Sequence, residues 1–173
     1  MAVICNGIAL HGGIFVACGT FFVFSDYMKP AVRLAALMEV PVKYVWSHDA
    51  FRVGEDGPTH QPIEHEAQLR LMEKLENHSG KMSLLALRPA DAAETSVAWK
   101  MAMENTSTPT ALILSRQNIT DLPGTDRYDE ALQAEKGAYV VCKTGENPDV
   151  VLVASGSEVS TLVEGAKLLQ ERK

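Results

Sequence analysis

Short apolar runs alternate with amphipathic stretches along most of this chain of 173 residues. Four of the runs have the length and the bounding residues of strands that are buried on both faces, namely residues 42–46, 83–87, 110–114 and 150–154. Runs of this kind are typical of parallel sheets, which are covered by helices. The alternation of strand and helix therefore predicts an α/β fold, a parallel sheet with helices on both faces.

The stretches between these runs carry apolar residues at the spacing of a helix. One stripe comprises Ala31, Leu34, Ala35 and Met38, and a second surrounds Val97 and Met101. Asp91 precedes the second stretch and Glu94 follows three residues later, which predicts a capping box. Because ligands of such sheets bind beyond the carboxyl ends of the strands, His48 and Arg116, each just after a predicted strand, become candidate site residues.

The pattern divides the chain into three parts. Residues 1–120 hold most of the predicted sheet and form one domain; they open without a polar cap or turn, so we expect a cut within a domain at this point. Residues 121–147 are polar and contain glycines and prolines, which is typical of a connector. Residues 148–173 begin again with an apolar run, a turn and an amphipathic stretch, and we interpret them as the first βα unit of a second domain.

Composition and charge exclude several classes of function. A net charge of −6, with no cluster of lysines and arginines, argues against a nucleic-acid surface. The first basic side chain is Lys29, and polar residues and glycines interrupt the apolar residues before it, so neither a secretory signal nor a membrane span is predicted. The cysteines, Cys5, Cys18 and Cys142, lack metal-site or disulfide spacing, which favours a reduced cytoplasmic setting with all three buried or inert.

Residues 54–62, with the sequence Gly-Glu-Asp-Gly-Pro-Thr-His-Gln-Pro, form the most informative loop. Its glycines and prolines fix the backbone, while Asp56 and His60 supply a carboxylate and a group that titrates near neutral pH. One interpretation is a polar turn that precedes a helix starting at Ile63. The density of fixed backbone around two ionisable groups favours a functional site.

Aromatic residues recur every third position at Phe21, Phe24 and Tyr27, which places their rings near one face if the segment turns helically. Such a stripe is more often core than ligand pocket, so the pattern alone leaves both interpretations open. Histidines, cysteines and carboxylates show no metal-ligand spacing, and no metal site is predicted. His65 and His78 lie in polar contexts and are expected to be solvated.

Five segments together resemble transketolase: residues 1–13, 19–21, 47–49, the whole loop 54–62, and the Leu-Ser-Arg-Gln-Asn string at 114–118. They occur in the family's order and at compatible spacing. The resemblance covers nearly the whole chain and implies most of the pyrimidine-binding domain in residues 1–120, then the start of the carboxy-terminal domain from residue 148. Dihydroxyacetone synthase shares most of the loop motif and stays an alternative.

The resemblance implies a role for each candidate residue. Phe21, Phe24 and Tyr27 match the pocket for the aminopyrimidine ring of thiamine diphosphate, with Phe24 stacking on that ring. His48 and Arg116 match the residues that hold the sugar phosphate. Asp56 matches the carboxylate that binds the C2 hydroxyl of the sugar. His60 matches a substrate-binding histidine that also moves protons, and it is the candidate catalytic residue.

The implied reaction transfers a two-carbon ketol unit from a ketose phosphate to an aldose phosphate in the pentose phosphate pathway. It implies thiamine diphosphate, a divalent metal (Mg²⁺ or Ca²⁺), and a homodimer in the parent enzyme. The family's Gly-Asp-Gly motif for the diphosphate and metal, and the glutamate that activates the cofactor, have no counterpart in these 173 residues. We therefore expect the chain alone to be inactive.

Two other interpretations stay open at this point: a non-catalytic interaction module derived from a transketolase, and a separately encoded carboxy-terminal subunit. The chain departs from the family in two places, of which one, residues 77–82, is interpreted as a surface insertion and the other lies beside His48. A Thr-His-Asp-Ser string is frequent in the family, where this chain has Ser47, His48, Asp49 and Ala50, followed by Phe51 and Arg52. Because that loop flanks the implied substrate channel, a different aldose preference is expected.

Overall fold

A computed structural model describes residues 1–49 and 51–172 of the chain, and for residues 51 and 52 it describes the backbone alone. Ala50 and the side chains of Phe51 and Arg52, on which the expectation about aldose preference depends, lie outside this description. The helices are α1 (Ala2–His11), α2 (Lys29–Leu37), α3 (His65–Glu73), α4 (Ala92–Glu104), α5 (Arg127–Ala131) and α6 (Glu158–Glu171). The strands are β1 (Ala17–Phe21), β2 (Lys43–Ser47), β3 (Leu85–Leu87) and β4 (Thr110–Ile113).

The described residues form a parallel sheet of four strands in the order β1-β2-β4-β3. The register pairs Phe21 of β1 with Ser47 of β2, and Trp46 of β2 with Ile113 of β4. Since parallel strands point the same way, the residues that follow β1, β2 and β4 all emerge at one edge of the sheet.

Helices cover both faces of this sheet. On one face, Tyr44 and Trp46 of β2 pack in a buried cluster with residues of α1, α2 and α3. On the other face, Leu112 of β4 packs against Ala98 and Ala102 of α4. The predicted α/β fold with helices on both faces is confirmed, and its strands are apolar on both sides because neither side meets water.

The capping box predicted before α4 is present in modified form. The Asp91 carboxylate accepts a hydrogen bond of 2.8 Å from the backbone N–H of Glu94, as an N-cap side chain does. The Glu94 carboxylate turns back to the backbone N–H of Ala90, one residue before the cap. The first contact satisfies an amide group that the first turn of a helix leaves unpaired, and the second fixes the backbone just before the cap.

The prediction of a strand at residues 150–154 is wrong for this structure. Val150, Val151 and Val153 are largely exposed, and the described residues provide no strand beside them. A strand is held by hydrogen bonds to a neighbour, so an apolar run without a neighbouring strand does not become one. The amphipathic stretch that follows does form a helix, α6.

The structure agrees with the expectation of burial for two of the three cysteines and contradicts the expectation for His65. Cys5 and Cys18 are buried, but Cys142 is exposed. His65 is not solvated, because its ring packs against Phe22 with ring centroids 5.7 Å apart and its side chain is 4% exposed. In the part of the chain that the structure describes, no helix has both the length and the apolar character needed to span a membrane.

A buried polar network joins α1 to the rest of the domain. Asn6 of α1 donates to the backbone carbonyl of Ala31 in α2 at 2.8 Å and accepts from the Tyr44 hydroxyl of β2 at 2.7 Å. Buried polar groups that lose a partner destabilise a fold more than their hydrogen bonds stabilise it.

We therefore expect Asn6→Ala to lower the free energy of unfolding by about 1–3 kcal/mol, because it leaves the buried Tyr44 hydroxyl without its acceptor. Urea denaturation followed by circular dichroism measures this change. Asn147→Ala, at an exposed position, serves as the control and should stay within about 0.5 kcal/mol of the parent chain. Equal effects of the two substitutions would contradict the importance of the network.

Candidate functional site

The carboxyl edge of the sheet brings together the candidate residues Phe21, His48 and Arg116. Phe21 is the last residue of β1 and is paired with Ser47 of β2. His48 directly follows Ser47 in the chain. The Leu114 N–H donates to the Trp46 carbonyl at 2.7 Å, which continues the pairing of β2 and β4 toward Arg116. The topology of the sheet therefore places residues far apart in sequence at one site.

His48 has a backbone conformation that side-chain-bearing residues rarely adopt, with φ of 62°. This left-handed turn lays the imidazole on the ring of Phe21, with centroids 3.8 Å apart. Its Nδ1 shares a hydrogen bond of 3.0 Å with the Ser47 hydroxyl, and its Nε2 lies 3.5 Å from Oδ2 of Asp56. The imidazole is thus held from three sides.

Asp56 lies between two of the other candidates. Its Oδ2 is 2.8 Å from Nε of Arg116 and 3.5 Å from Nε2 of His48. Although these distances are those of ion pairs, the same buried oxygen accepts no hydrogen bond of good geometry from the described residues. A carboxylate has about four lone-pair sites, so Asp56 as a whole retains acceptor capacity beyond these two ion-pair contacts.

The loop that carries Asp56 and His60 depends on two glycines. Gly54 and Gly57 have φ of 77° and 75°, values that favour glycine. The N–H of His60 donates to the carbonyl of Gly57 at 3.1 Å, which closes a tight turn around the Pro58–His60 segment. Gly54 also lies close to Arg116, whose Nη1 would be 3.6 Å from a side-chain carbon at that position.

Aromatic rings form the second part of the site. Residues Phe22–Tyr27 form a 3-10 helix, whose period of three residues explains why Phe21, Phe24 and Tyr27 recur at that spacing. The rings of Phe21 and Phe24 are 5.9 Å apart, and the ring of His60 meets the ring of Phe24 edge-on at 5.3 Å. Phe21 and Phe24 are partly exposed and Tyr27 is 85% exposed, so each keeps ring surface for a ligand.

The electrostatic environment keeps His48 neutral at pH 7. Burial lowers the pKa of His48 below its ordinary value of 6.5; Asp56 opposes that shift, while Arg116 and His60 reinforce it. A neutral imidazole donates one hydrogen bond and adds no charge. Arg116 therefore supplies the permanent positive charge beside His48.

Asp26, Glu64 and His65 are the one group among the described residues whose donor atoms lie as close together as metal ligands do. The Lys29 ammonium, however, lies 2.6 Å from Oδ1 of Asp26 and already neutralises that carboxylate. Glu64 is largely exposed. We assign no metal to this group.

No sequence pattern indicates the buried ion pair between Asp49, the neighbour of His48, and Arg88, which follows β3. The guanidinium donates to Oδ2 of Asp49 at 2.9 and 3.2 Å, with side chains that are 8% and 2% exposed. Residues 39 positions apart carry no local signal of such a contact. Only the position of Asp49 beside a candidate residue could have suggested it.

Family models match almost the whole chain. Residues 1–121 match the pyrimidine-binding domain of transketolase, and residues 137–173 match the transketolase-like carboxy-terminal domain. The transketolase of Bacillus subtilis is 54% identical over 169 residues, which cover 96% of this chain and 24% of that protein. A probable transketolase of Streptococcus pneumoniae is 53% identical, with 98% and 24% covered.

Solved structures agree with these matches. A mutant transketolase of Pichia stipitis in complex with fructose 6-phosphate superimposes with a TM-score of 0.85 at 42% identity, covering 99% of this chain and 24% of that one. A split-gene transketolase, solved as an inactive beta4 tetramer, gives a TM-score of 0.66 at 25% identity and covers 98% of this chain and 49% of that one. This chain spans about a quarter of the length of the curated relatives it matches.

The site geometry leads to a prediction about the protonation of His48. Arg116→Met should raise the pKa of His48 because it removes a neighbouring positive charge, and Asp56→Asn should lower it because it removes a negative one. Nuclear magnetic resonance titration of the His48 Cε1 proton measures both shifts. Lys100→Met removes a charge on α4 that pairs with Glu104 and Glu135, and should leave this titration unchanged.

The same depressed pKa has a consequence for stability. The unfolded chain binds a proton on this histidine more readily than the folded chain does, so stability falls as the pH drops through about 6.5. His48→Asn should reduce that loss. A pKa of His48 at or above its ordinary value in the parent chain would contradict the proposed environment.

Proposed function

Because this chain belongs to the transketolase family, we propose that it forms part of an enzyme that transfers a two-carbon ketol unit between sugar phosphates. The observation that carries the proposal is the assembly of Phe21, His48, Asp56 and Arg116 at the carboxyl edge of the sheet. The donor is a ketose phosphate and the acceptor an aldose phosphate. The high identity to proteins named transketolase favours this function over a dihydroxyacetone synthase or a non-catalytic module.

Thiamine diphosphate fits the aromatic part of the site. Phe21, Phe24 and Tyr27 offer partly exposed rings, and aromatic rings hold a flat heterocycle by stacking worth about 0.5–1.5 kcal/mol beyond its burial. When bound, the cofactor supplies a carbon nucleophile that the protein itself lacks. The diphosphate and its divalent metal, Mg²⁺ or Ca²⁺, are held by parts of the enzyme beyond these residues.

Arg116 and His48 bind the phosphate of the sugar. The planar guanidinium can donate two parallel hydrogen bonds to phosphate oxygens, and the neutral imidazole can donate one more. Arg116 now pairs at 3.0 Å with Glu55, whose side chain is 83% exposed. Such a surface pair contributes little free energy, so a phosphate displaces Glu55 at small cost.

Asp56 and His60 act at the reacting end of the sugar. The Asp56 carboxylate, which also pairs with Arg116, accepts the C2 hydroxyl and thereby selects one configuration at that carbon. His60 adjoins both Phe21 and Phe24, so a ligand against these rings lies within its reach. Its Nδ1 is engaged by the Thr59 hydroxyl at 2.8 Å, which leaves Nε2 to exchange protons with the substrate.

The proposed enzyme is a cytoplasmic homodimer of the pentose phosphate pathway. Residues 1–120 serve as its pyrimidine-binding domain, 121–147 as a connector, and 148–173 as the start of its carboxy-terminal domain. The dimer is supported by the exposed apolar residues of α1 and the turn after it, Val3, Ile4, Leu10, Ile14 and Phe15. An apolar surface of this kind favours association with another protein surface.

Substitution of Arg116 tests the phosphate assignment in the complete enzyme that contains this segment. Arg116→Met should raise KM for xylulose 5-phosphate about 10- to 100-fold, since a charge-assisted hydrogen bond is worth about 1.5–3 kcal/mol. The KM of unphosphorylated xylulose should change little. Steady-state kinetics with both donors measures the difference.

Two control variants sharpen this test. Arg116→Lys keeps the charge but loses the planar fork, and should give an intermediate KM. Glu55→Gln removes the exposed partner of Arg116 and should leave both KM values nearly unchanged. Equal losses for phosphorylated and unphosphorylated donors with Arg116→Met would refute the assignment.

The 173-residue chain alone should transfer no ketol unit and should bind thiamine diphosphate with a Kd weaker than about 1 mM. Stacking of about 0.5–1.5 kcal/mol does not offset the several kcal/mol of translational and rotational freedom lost on binding. Calorimetric titration with thiamine diphosphate and Mg²⁺ measures the affinity. A micromolar Kd, or turnover of xylulose 5-phosphate with ribose 5-phosphate, would contradict the expectation.

A further inference from the structure

Arg88 lies at the centre of a buried charge cluster next to the site. Besides its two hydrogen bonds to Asp49, its guanidinium donates to the carboxylate of Glu158 and lies 3.5 Å from that of Glu66. The high burial of Arg88 and Asp49 makes this contact specific, because a buried charge that loses its partner is strongly unfavourable. The position of Asp49 is thus tied to that of Arg88.

The turn before α6 completes the cluster. Arg88 donates from Nη1 to the carbonyl and hydroxyl of Ser155 at 3.2 and 3.1 Å, and its own carbonyl accepts from the N–H of Gly156 at 3.1 Å. The buried hydroxyl of Ser157 lies at 3.3 Å from Oδ2 of Asp49 and donates to it. Residues near the end of the chain therefore contact both members of the ion pair.

Gly156 shows how closely this turn approaches Arg88. Its φ is 59°, and a side-chain carbon there would lie 2.6 Å from Nε and 2.7 Å from Cγ of Arg88. Atoms cannot approach so closely, so any side chain at this position displaces Arg88 or the turn. The turn and the guanidinium are fitted to each other.

The cluster ends at the candidate substrate site. Asp49 is the residue after His48 in the chain. The φ of His48, 62°, is rare for a residue with a side chain and persists only when the surroundings hold it. Strand β2 ends at Ser47, so pairing in the sheet does not fix the two residues that follow. These two residues are fixed instead by the hydrogen bonds that Arg88 and Ser157 donate to the Asp49 side chain.

We infer that Arg88 is a positioning residue: with the turn at residues 155–158 it clamps Asp49 and thereby holds His48 in the orientation that binds the sugar phosphate. The carboxy-terminal segment thus contributes to substrate binding without touching the substrate. This inference rests on the proposed function, because it assigns the consequence of the clamp to the phosphate-binding role of His48.

The structure offers a matched case of a purely structural buried ion pair. Arg127 lies 2.6 Å from Asp91 and 2.9 Å from Glu94, with side chains 12%, 0% and 12% exposed. This trio caps α4 and contacts none of the candidate site residues. Loss of Arg127 should therefore reduce stability and leave substrate discrimination unchanged.

The test measures KM for xylulose 5-phosphate and for unphosphorylated xylulose in the complete enzyme, with thermal unfolding of each variant. Gly156→Ala, which retains every charge, should raise KM for the phosphorylated donor about threefold to tenfold and leave that of the unphosphorylated donor unchanged. Gly80→Ala imposes a side chain on a glycine with φ of 69° and open space around it, and should leave both KM values unchanged.

Substitution of Arg88 itself gives the second arm. Arg88→Met should reproduce the selective rise in KM, and Arg88→Lys should restore part of the parent behaviour, because an ammonium reaches Asp49 but cannot bridge to Ser155 as well. Arg127→Met should lower the unfolding temperature without a selective change in KM. If Arg88→Met does not fold, Gly156→Ala decides the question by itself.

His48→Ala separates this inference from the proposed function. A selective rise in KM with His48→Ala but not with Gly156→Ala or Arg88→Met would overturn the clamp and leave the phosphate site standing. Equal rises for both donors in the Gly156 and Arg88 variants would also overturn it, since they indicate general damage. No selective effect of His48→Ala would overturn both the clamp and the phosphate-binding role of His48.

Discussion

Parallel pairing of β1 with β2 and of β2 with β4 is the constraint on which the site depends. Antiparallel strands would send successive strand ends to opposite edges of the sheet, whereas here Phe21, His48 and Arg116 meet at one edge. The register of the strands then determines which side chains meet at that edge. Because Phe21 is opposite Ser47, the left-handed turn at His48 places its imidazole on the ring of Phe21. A shift of one residue would send these side chains to opposite faces.

The residues at this edge differ in charge, and the charges determine how they interact with one another. Asp56 faces two groups that attract negative charge, Arg116 and His48, and only Arg116 is charged at neutral pH. In the proposed binding mode, a phosphate dianion would compete with Asp56 for Arg116 and favour protonation of His48. Under that proposal, binding of the phosphate would loosen the hold on Asp56 and make its carboxylate more available to a sugar hydroxyl. The two ends of the proposed site would then be coupled through Arg116.

The sequence was sufficient for features that local pattern encodes and insufficient for those that depend on distant partners. Strands β2, β3 and β4 were predicted because their residues are apolar on both faces, but β1 was missed because Cys18 and Gly19 lack bulk. Gly19 is needed there because a side-chain carbon would lie 2.9 Å from the Val45 carbonyl. The run at 150–154 has the right composition and no neighbouring strand. The candidate site residues were predicted from the strand ends, the composition of the loop at 54–62 and the family motifs, whereas no sequence pattern indicated the Arg88–Asp49 contact.

The polar stretch after β4 is more than a spacer, because it carries the second buried arginine. Arg127 and Tyr139 both contact Glu94 at the start of α4, which fixes this stretch to the domain. Further along the chain, Ser155 contacts Arg88. Buried ion pairs of this kind add little net stability, since desolvation of the charges offsets their attraction. They are specific, however, because a misplaced chain leaves a buried charge unpaired. The pairs Arg127–Asp91 and Arg88–Asp49 therefore determine where the carboxy-terminal segment docks. The Arg88–Asp49 pair lies one residue from His48.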